Sequence, residues 1–271
     1  MKIRGIAVPD MFYGTAWKES RTTMLVEQAL AAGFVAIDTA NQRKHYDEAA
    51  VGRALAAVPR DRLFVQTKFT HLAGQDERLP YDPDAPVETQ VAQSFERSLE
   101  HLQTGRIDSL ILHGPSQRIG LHADDVAAWR GIEALSDRVP LIGASNVTAE
   151  QVDALVAIAR VPPAFVQNRC YASRGWDRDV RAACARHGIA YQGFSLLTAN
   201  RDVVQHDRDV RAIAQRYGVT TAQLVFAFAR RLGMIALTGT TSAEHMSQDL
   251  ASLALELARD DVHVLEAAGQ S

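Results

Sequence analysis

Three ionisable side chains come directly after apolar segments that are typical of buried strands. They are Asp38, Lys68 and His113. An isolated charge inside a protein costs several kcal/mol to desolvate, so we expect Asp38 and Lys68 to form an ion pair. A carboxylate, an ammonium group and an imidazole gathered in one place are suited to move a proton. Taken alone, the pair of Asp38 and Lys68 is also consistent with a structural salt bridge, and His113 on its own is more typical of a core histidine.

A polar loop at residues 41–46 adds two more groups that can transfer protons. It follows the second predicted strand, and its last two residues are His45 and Tyr46. A lysine charge near a tyrosine favours the phenolate and lowers the phenol pKa from its ordinary value near ~10. We therefore predict that Lys68 lowers the pKa of Tyr46 and makes this phenol a usable proton donor around neutral pH.

Polar residues also end the other predicted strands, apart from the first. In a barrel of parallel strands, the carboxyl ends converge on one face, which is the face that carries active sites. A set of polar residues at these ends therefore predicts one shared site better than separate strand caps. The set comprises Asp38, Lys68, His113, Ser145 with Asn146, Gln167 with Asn168, Ser195 and Thr240.

Short apolar segments alternate with longer amphipathic helical segments along the whole chain. This alternation predicts a parallel sheet, and eight such units in a chain of this length favour an α/β fold of the (β/α)8 TIM barrel type. No linker or break in composition divides the chain, so we predict a single domain over residues 1–271. The predicted strands lie at residues 11–13, 34–37, 62–67, 107–112, 141–144, 164–166, 189–193 and 234–237.

The composition is that of an ordinary globular protein. The chain has 271 residues, 47% of them hydrophobic, and a net charge of −3 with both signs mixed, which argues against nucleic acid or a membrane surface as a main partner. No apolar run approaches the ~20 residues of a membrane span, and the first ten residues do not resemble a secretory signal. We expect a cytoplasmic protein with no metal site, in which Cys170 and Cys184 are buried free thiols.

Nine segments resemble, in the same order, the motifs of the aldo-keto reductase superfamily, and together they span nearly the full chain. Single matches of this kind would be weak, whereas nine in order are specific. The segments are YGTAW (13–17), QALAAGFVAIDTA (28–40), DEAAVGRAL (47–55), LFVQTK (63–68), SFERSLEHL with RIDSLILHGP (94–115), IGASNV (142–147), VQN (166–168), GFSLL (193–197) and GTTSAEHMSQDL (239–250).

The resemblance implies a barrel with an extended nicotinamide cofactor across its mouth. Asp38, Lys68 and His113 match the aspartate, lysine and histidine of the family's catalytic tetrad. The implied cofactor residues are Gly14 and Thr15 in the first motif; Ser145, Asn146 and Gln167 at the carboxamide; Phe194 stacked on the nicotinamide; Ser195 and Leu197 at the pyrophosphate; and Thr240, Thr241, His245, Gln248 and Asp249 at the adenosine end.

The last group has a physical reason of its own. Hydroxyls and free N–H groups at a helix N-terminus suit a phosphate. No G-x-G-x-x-G sequence follows any predicted strand, so a Rossmann-type site is not supported.

The chain departs from the family pattern at the tetrad tyrosine. The family places this tyrosine five residues after the aspartate, where this chain has Arg43, and the loop here is two residues longer. Counting back from Val51 puts His45 in the tyrosine's position and Tyr46 one residue later. We favour Tyr46 as the proton donor and keep His45 as the alternative. A third interpretation is that both are solvated loop residues.

A second departure concerns the clamp that holds the 2′-phosphate of NADPH in the family. Gly239 and His245 stand at its lysine and arginine positions, and no lysine or arginine occurs between Arg231 and Arg259. Loss of these charge-assisted contacts should weaken the preference for NADPH over NADH. We predict NADPH as the cofactor with NADH as the alternative, and Arg201 as a substitute phosphate contact.

These observations predict an oxidoreductase that reduces small-molecule aldehydes or ketones to alcohols with NAD(P)H. The lengthened loop keeps open a second class, a cofactor-binding sensor or partner protein with little turnover. A lyase that forms a Schiff base on Lys68 is a third class, which the nicotinamide motifs disfavour. The substrate, the physiological direction and the oligomeric state are left open.

Overall fold

Eight parallel strands close into a barrel in the computed structural model of the protein, which describes residues 1–270. Each strand pairs with its sequence neighbour, and the last barrel strand pairs with the first. This confirms the predicted TIM barrel. The barrel strands are β3 (Met11–Gly14), β4 (Ala36–Asp38), β5 (Phe64–Phe69), β6 (Ser109–Leu112), β7 (Leu141–Ser145), β8 (Phe165–Arg169), β9 (Ala190–Phe194) and β10 (Ile235–Thr238).

Helices connect the strands and surround the barrel, as parallel strands require a crossover between neighbours. They are α1 (Thr22–Ala32), α2 (Glu48–Leu55), α3 (Val87–Leu102), α4 (Ala123–Ala134), α5 (Ala149–Ile158), α6 (Arg178–Arg186), α7 (Arg201–His206), α8 (Arg208–Tyr217), α9 (Thr221–Arg231), α10 (Ala243–Ala251) and α11 (Arg259–Ala267).

Local sequence signals account for several helix ends. Gly33 ends α1 with a φ of 107°, a left-handed conformation that glycine adopts without strain. Asp47 begins α2, and its side chain accepts a hydrogen bond from the backbone N–H of Ala50. The start of α2 therefore lies directly after the loop that carries His45 and Tyr46, and the capped helix anchors the end of that loop.

The barrel interior is apolar below the mouth. Three phenylalanines from β3, β5 and β8 pack edge to face, with centroids 5.3 Å apart for Phe12 and Phe64 and 6.4 Å apart for Phe64 and Phe165. An N-terminal hairpin of β1 (Lys2–Ile3) and β2 (Ile6–Ala7) adds partly buried isoleucines to this cluster. The polar strand ends therefore stand on a packed core.

Two elements were not predicted, the hairpin of β1 and β2 and the short helix α7. Strand β4 is shorter than predicted, because Val35 is 45% exposed and only residues from Ala36 onward pair in the sheet. Cys170 and Cys184 are buried free thiols, as predicted. Within residues 1–270, no helix has both the length and the apolar character needed to cross a membrane.

Candidate active site

A cavity of about 600 Å³ opens at the carboxyl ends of the barrel strands. Its walls contain residues from most of the strand ends and from the loops that follow them. The predicted site residues that line it are Gly14, Asp38, His45, Tyr46, His113, Ser145, Asn146, Gln167, Phe194, Ser195 and Leu197. Most of the polar residues predicted at the strand ends therefore line one cavity.

Asp38 and Lys68 form the predicted ion pair beneath the cavity floor. Lys68 Nζ lies 2.7 Å from each carboxylate oxygen of Asp38 and donates a third hydrogen bond to the carbonyl of Thr39 at 2.8 Å. The side chain of Lys68 is 1% exposed and that of Asp38 is 4% exposed. Burial lowers the pKa of Lys68, and the charges of Asp38 and Glu48 oppose this shift. All three ammonium N–H groups are used inside the protein.

A network of glutamine side chains completes the surroundings of Asp38. Gln66 and Gln167 donate to its Oδ1 at 2.7 and 3.0 Å, and both also donate to the side-chain oxygen of Gln192 at 2.9 Å. Buried polar groups are stable only when hydrogen-bonded, and this network bonds them across β4, β5, β8 and β9. Sequence analysis missed Gln66 and Gln192. Their only signal was a polar residue inside an otherwise apolar strand.

A second buried acid, Glu48, lies behind Lys68 at the start of α2. It is 2% exposed and accepts a hydrogen bond from the Thr67 hydroxyl, while Nδ1 of His101 lies 3.5 Å from its Oε2. Its negative charge favours the charged form of Lys68. The charges of two carboxylates thus favour the ammonium form of Lys68, which offsets part of its desolvation cost.

The ring of Tyr46 lies next to both Lys68 and His113. Lys68 Nζ is 5.4 Å from the ring centroid, and the rings of Tyr46 and His113 meet edge to face with centroids 5.9 Å apart. The pKa of Tyr46 is raised far above the ordinary 10.0, first by burial and then by the charge of Asp38, while Arg169 lowers it. The predicted lowering of the Tyr46 pKa is wrong, because burial of the phenol and the charge of Asp38 raise it. The phenol stays protonated at neutral pH.

His113 is a neutral imidazole at the end of β6. Burial, followed by the charges of Lys68 and His45, lowers its pKa to about 3. Thr70 Oγ1 lies 2.7 Å from Nδ1 of His113, so Nε2 is the ring nitrogen without this partner. Asn146 Nδ2 donates to the backbone carbonyl of His113 at 2.8 Å. Thr70 was missed by sequence analysis, because the alternation of strand residues does not show which hydroxyl reaches a ring on the neighbouring strand.

His45 lines the same cavity from the loop side. Its ring stacks on Trp17, with centroids 3.7 Å apart, and its backbone carbonyl accepts from the Trp17 N–H at 2.8 Å. Burial is the largest influence on its pKa, which lies below the ordinary 6.5. A neutral His45 predominates at pH 7. Both predicted candidates for the proton donor therefore reach the cavity, whereas Tyr46 also contacts Lys68 and His113.

The predicted cofactor residues fall into two groups. Those at the barrel mouth line the cavity, and two of them, Asn146 and Ser195, hold left-handed backbone conformations with φ of 55° and 56°. Thr15 lies below the cavity, buried, with its hydroxyl bonded to the carbonyl of Asp38 at 3.0 Å. The residues predicted at the adenosine end are not among the cavity walls. They are Thr240, Thr241, His245, Gln248 and Asp249.

Within this second group, exposure differs. Thr241 and His245 are exposed at the start of α10, where they are open to a ligand outside the cavity. Asp249 is instead 3% exposed, and its carboxylate accepts from the Thr238 hydroxyl at 2.7 Å. Burial raises the pKa of Asp249 to about 6. This inward position does not support its predicted role at the cofactor.

Lys18 is a cation of the cavity wall that sequence analysis did not single out. It is 5% exposed, and its ammonium contacts the backbone carbonyl of Gly239 and lies 5.7 Å from the ring centroid of Tyr13. No carboxylate within residues 1–270 forms an ion pair with it. Gly239 stands where the family resemblance implies the lysine of the 2′-phosphate clamp. Arg201, the predicted substitute, is exposed at the start of α7 and does not line the cavity.

Replacing Lys68 by methionine should lower the free energy of unfolding by about 3–5 kcal/mol, because Asp38 would stay buried without its cation. Urea unfolding followed by circular dichroism measures this loss. Lys44→Met removes an exposed lysine of the neighbouring loop and should cost little. Equally small losses in the two variants would show that the pair does not hold the barrel mouth together.

Comparisons with known proteins agree on one family. The model of the aldo/keto reductase family matches residues 11–270. Methylglyoxal reductase DkgA of Salmonella typhimurium is 26% identical over 264 residues, which cover 95% of this chain and 88% of that protein. The structure of MGS-M4, an aldo-keto reductase from a Medee basin deep-sea metagenome library, superposes with a TM-score of 0.86 at 20% identity, over 100% of this chain and 96% of the other.

A Bombyx mori aldo-keto reductase solved in complex with NADP is also similar in fold. The TM-score is 0.81 at 22% identity, and the match covers 98% of this chain and 91% of the other. The family match extends over nearly the whole chain and includes all eight barrel strands. The chain therefore belongs to the aldo/keto reductase family of NAD(P)H-dependent oxidoreductases.

Proposed function

We propose that the protein reduces small aldehydes or ketones to alcohols with NADPH, and that Tyr46 donates the proton. One observation carries this proposal. The Tyr46 phenol lies beside the Lys68 ammonium and the neutral His113 imidazole, on the wall of one cavity. A protonated phenol and a neutral imidazole can both donate hydrogen bonds to a carbonyl oxygen as it gains negative charge.

The cofactor supplies the hydride that adds to the carbonyl carbon. Tyr46 then holds the proton that the carbonyl oxygen requires. Its raised pKa keeps the phenol protonated, and donation stays favourable because an alkoxide is a stronger base than a phenolate. Lys68 lies next to the phenolate that remains, and Asp38 holds the lysine in place. General acid catalysis of this kind contributes about 10²–10⁴-fold.

His113 orients the carbonyl oxygen in this scheme. Because its pKa is about 3, the imidazole does not compete with Tyr46 as an acid at neutral pH. A hydrogen bond from the Thr70 hydroxyl to Nδ1 would leave the ring proton on Nε2, where it can be donated to the substrate oxygen. Thr70 thus acts as a positioning residue for the tautomer of His113.

The residues at the barrel mouth fit a nicotinamide. Ser145, Asn146 and Gln167 line the cavity together with the half-buried ring of Phe194, the predicted stacking partner of the nicotinamide. NADPH is further supported by the NADP complex of the Bombyx mori relative. At the other end, Lys18 presents a buried ammonium beside Gly239, which suits a phosphate of the cofactor.

A Schiff-base mechanism on Lys68 is disfavoured by its surroundings. Such chemistry needs a neutral and accessible amine. The nitrogen of Lys68 instead makes three hydrogen bonds inside the protein, two of them to a carboxylate, and the side chain is 1% exposed.

Tyr46→Phe should reduce kcat for an aldehyde such as methylglyoxal by at least about a hundredfold, because the phenol proton is lost while the ring stays. The measurement is NADPH oxidation, with the NADPH Kd from fluorescence titration as the test of intact binding. His45→Ala should retain most of the activity. The opposite result, activity kept in Tyr46→Phe and lost in His45→Ala, would assign the proton to His45.

The same experiment separates the enzyme from a cofactor-binding sensor. Tight NADPH binding by the wild-type protein, without turnover of any aldehyde or ketone in a broad panel, would contradict the proposed reduction and favour the sensor.

His245→Arg should increase the preference for NADPH over NADH, measured as the ratio of kcat/KM values, by about tenfold. His245 is exposed in the first turn of α10, where a guanidinium can contact a 2′-phosphate that NADH lacks. Ser247→Arg adds the same charge at an exposed position two residues away and is the matched control. An equal change of the ratio in both variants would show that the added positive charge attracts NADPH without a specific contact. No change in either variant would show that the 2′-phosphate binds elsewhere.

A further inference from the structure

We propose that Arg169 binds a carboxylate of the substrate, so that the preferred substrates are carbonyl compounds that carry an acid group. The inference rests on the proposed carbonyl reduction and specifies its substrate class. Arg169 is the last residue of β8, it is exposed, and it lines the cavity together with Tyr46 and His113.

The register of β8 directs Arg169 into the cavity. Successive strand residues point to opposite faces, so Gln167 and Arg169 share one face and Asn168 takes the other. Gln167 points inward, where it donates to Asp38 at 3.0 Å. Asn168 points outward, where it donates to the carboxylate of Asp177 at 3.0 Å. Arg169 therefore stands above Gln167, at the rim of the barrel mouth.

The guanidinium of Arg169 has no protein anion to neutralise it. Within residues 1–270 it forms no ion pair and donates no side-chain hydrogen bond. It lies over the ring of Phe194, 5.4 Å from the centroid, which holds the group at the wall without using its N–H donors. The five N–H donors of an arginine remain available to a ligand.

The other ionisable groups of the cavity leave Arg169 as a positive charge that is available to an anionic group of the substrate. Asp38 is paired with Lys68, and the pKa values of His45 and His113 are both lowered, so Lys18 and Arg169 are the unpaired cations among the residues that line this cavity. Lys18 is near Gly239, at the part of the wall that we assign to the cofactor. Arg169 is close enough to Tyr46 to lower its pKa, which puts the cation within the substrate region.

A carboxylate fits this site better than a phosphate. The planar guanidinium matches the two oxygens of a carboxylate in a bidentate pair. A phosphate dianion usually needs a second cation or a group of backbone N–H donors. Lys18, the other unpaired cation of the wall, lies beside Gly239, at the part of the wall that we assign to the cofactor.

The test compares 3- and 4-carboxybenzaldehyde with their methyl esters, which keep the aldehyde and remove the charge. Two ring positions are used so that the acid group samples two separations from the carbonyl. The wild-type enzyme should favour at least one acid over its ester in kcat/KM. In Arg169→Gln the acid-to-ester ratio should fall by about tenfold, mainly through a higher KM for the acid, and Arg169→Lys should retain part of the preference.

Arg174→Gln is the matched control. Arg174 is also exposed, its guanidinium lies 5.5 Å from the ring centroid of Tyr171, and it does not line the cavity, so the ratio should stay unchanged. Added salt should raise the wild-type KM for the acid but not for the ester.

Three results would overturn the inference. The first is an acid-to-ester ratio that does not exceed one in the wild type for either acid. The second is a preference for the acid that survives in Arg169→Gln. The third is a rise in the NADPH KM of Arg169→Gln that is the same with both substrates, which would make Arg169 a cofactor contact. Reduction of the esters by the wild type shows that the proposed function holds in each of these cases. No reduction of any of the four aldehydes would contradict the proposed function itself.

Discussion

The ion pair of Asp38 and Lys68 is the constraint on which the barrel mouth depends. Two buried charges are tolerable only when their hydrogen-bonding capacity is used, and here every N–H of the lysine has an acceptor. The carboxylate in turn takes two glutamine donors from other strands. Asp38 therefore connects β4 to β5 and β8, and through Gln192 to β9. The position of the lysine follows from this network rather than from the loop above it.

The protonation states of Tyr46 and His113 depend on their burial and on the charges of this ion pair. Tyr46 lies next to this ion pair, with Lys68 Nζ 5.4 Å from its ring centroid, and burial followed by the charge of Asp38 raises its pKa, so the phenol keeps its proton. His113 is kept neutral first by its burial and then by the charges of Lys68 and His45. The free positive charges are displaced to the rim of the cavity, to Lys18 and Arg169. The site thus combines a neutral centre, suited to a carbonyl, with cationic edges that are suited to anionic parts of its ligands.

The sequence was informative wherever a residue type conflicted with its surroundings. Asp38, Lys68 and His113 follow apolar strands. The cost of burying a charge predicted the pairing of Asp38 with Lys68, and the position of all three at the ends of parallel strands predicted their common location. The pKa of Tyr46 was predicted in the wrong direction, because the sequence does not show that the phenol is buried and that the charge of Asp38 acts on it. Thr70, Gln192 and Arg169 were missed because their roles depend on side-chain direction across neighbouring strands. The β1–β2 hairpin was missed because its strands are too short for a periodic pattern.

The pH dependence of hydride transfer in the wild-type protein tests the central claim most directly. The claim is that Tyr46, which carries its proton before the reaction at every pH in the neutral range, donates that proton beside a neutral His113. Single-turnover mixing of the NADPH complex with methylglyoxal, followed by loss of NADPH absorbance, should give a rate that is constant between about pH 6 and pH 9. A rate that falls as the pH rises through a value below 6.5, the ordinary pKa of histidine, would identify His45 as the acid and contradict this account.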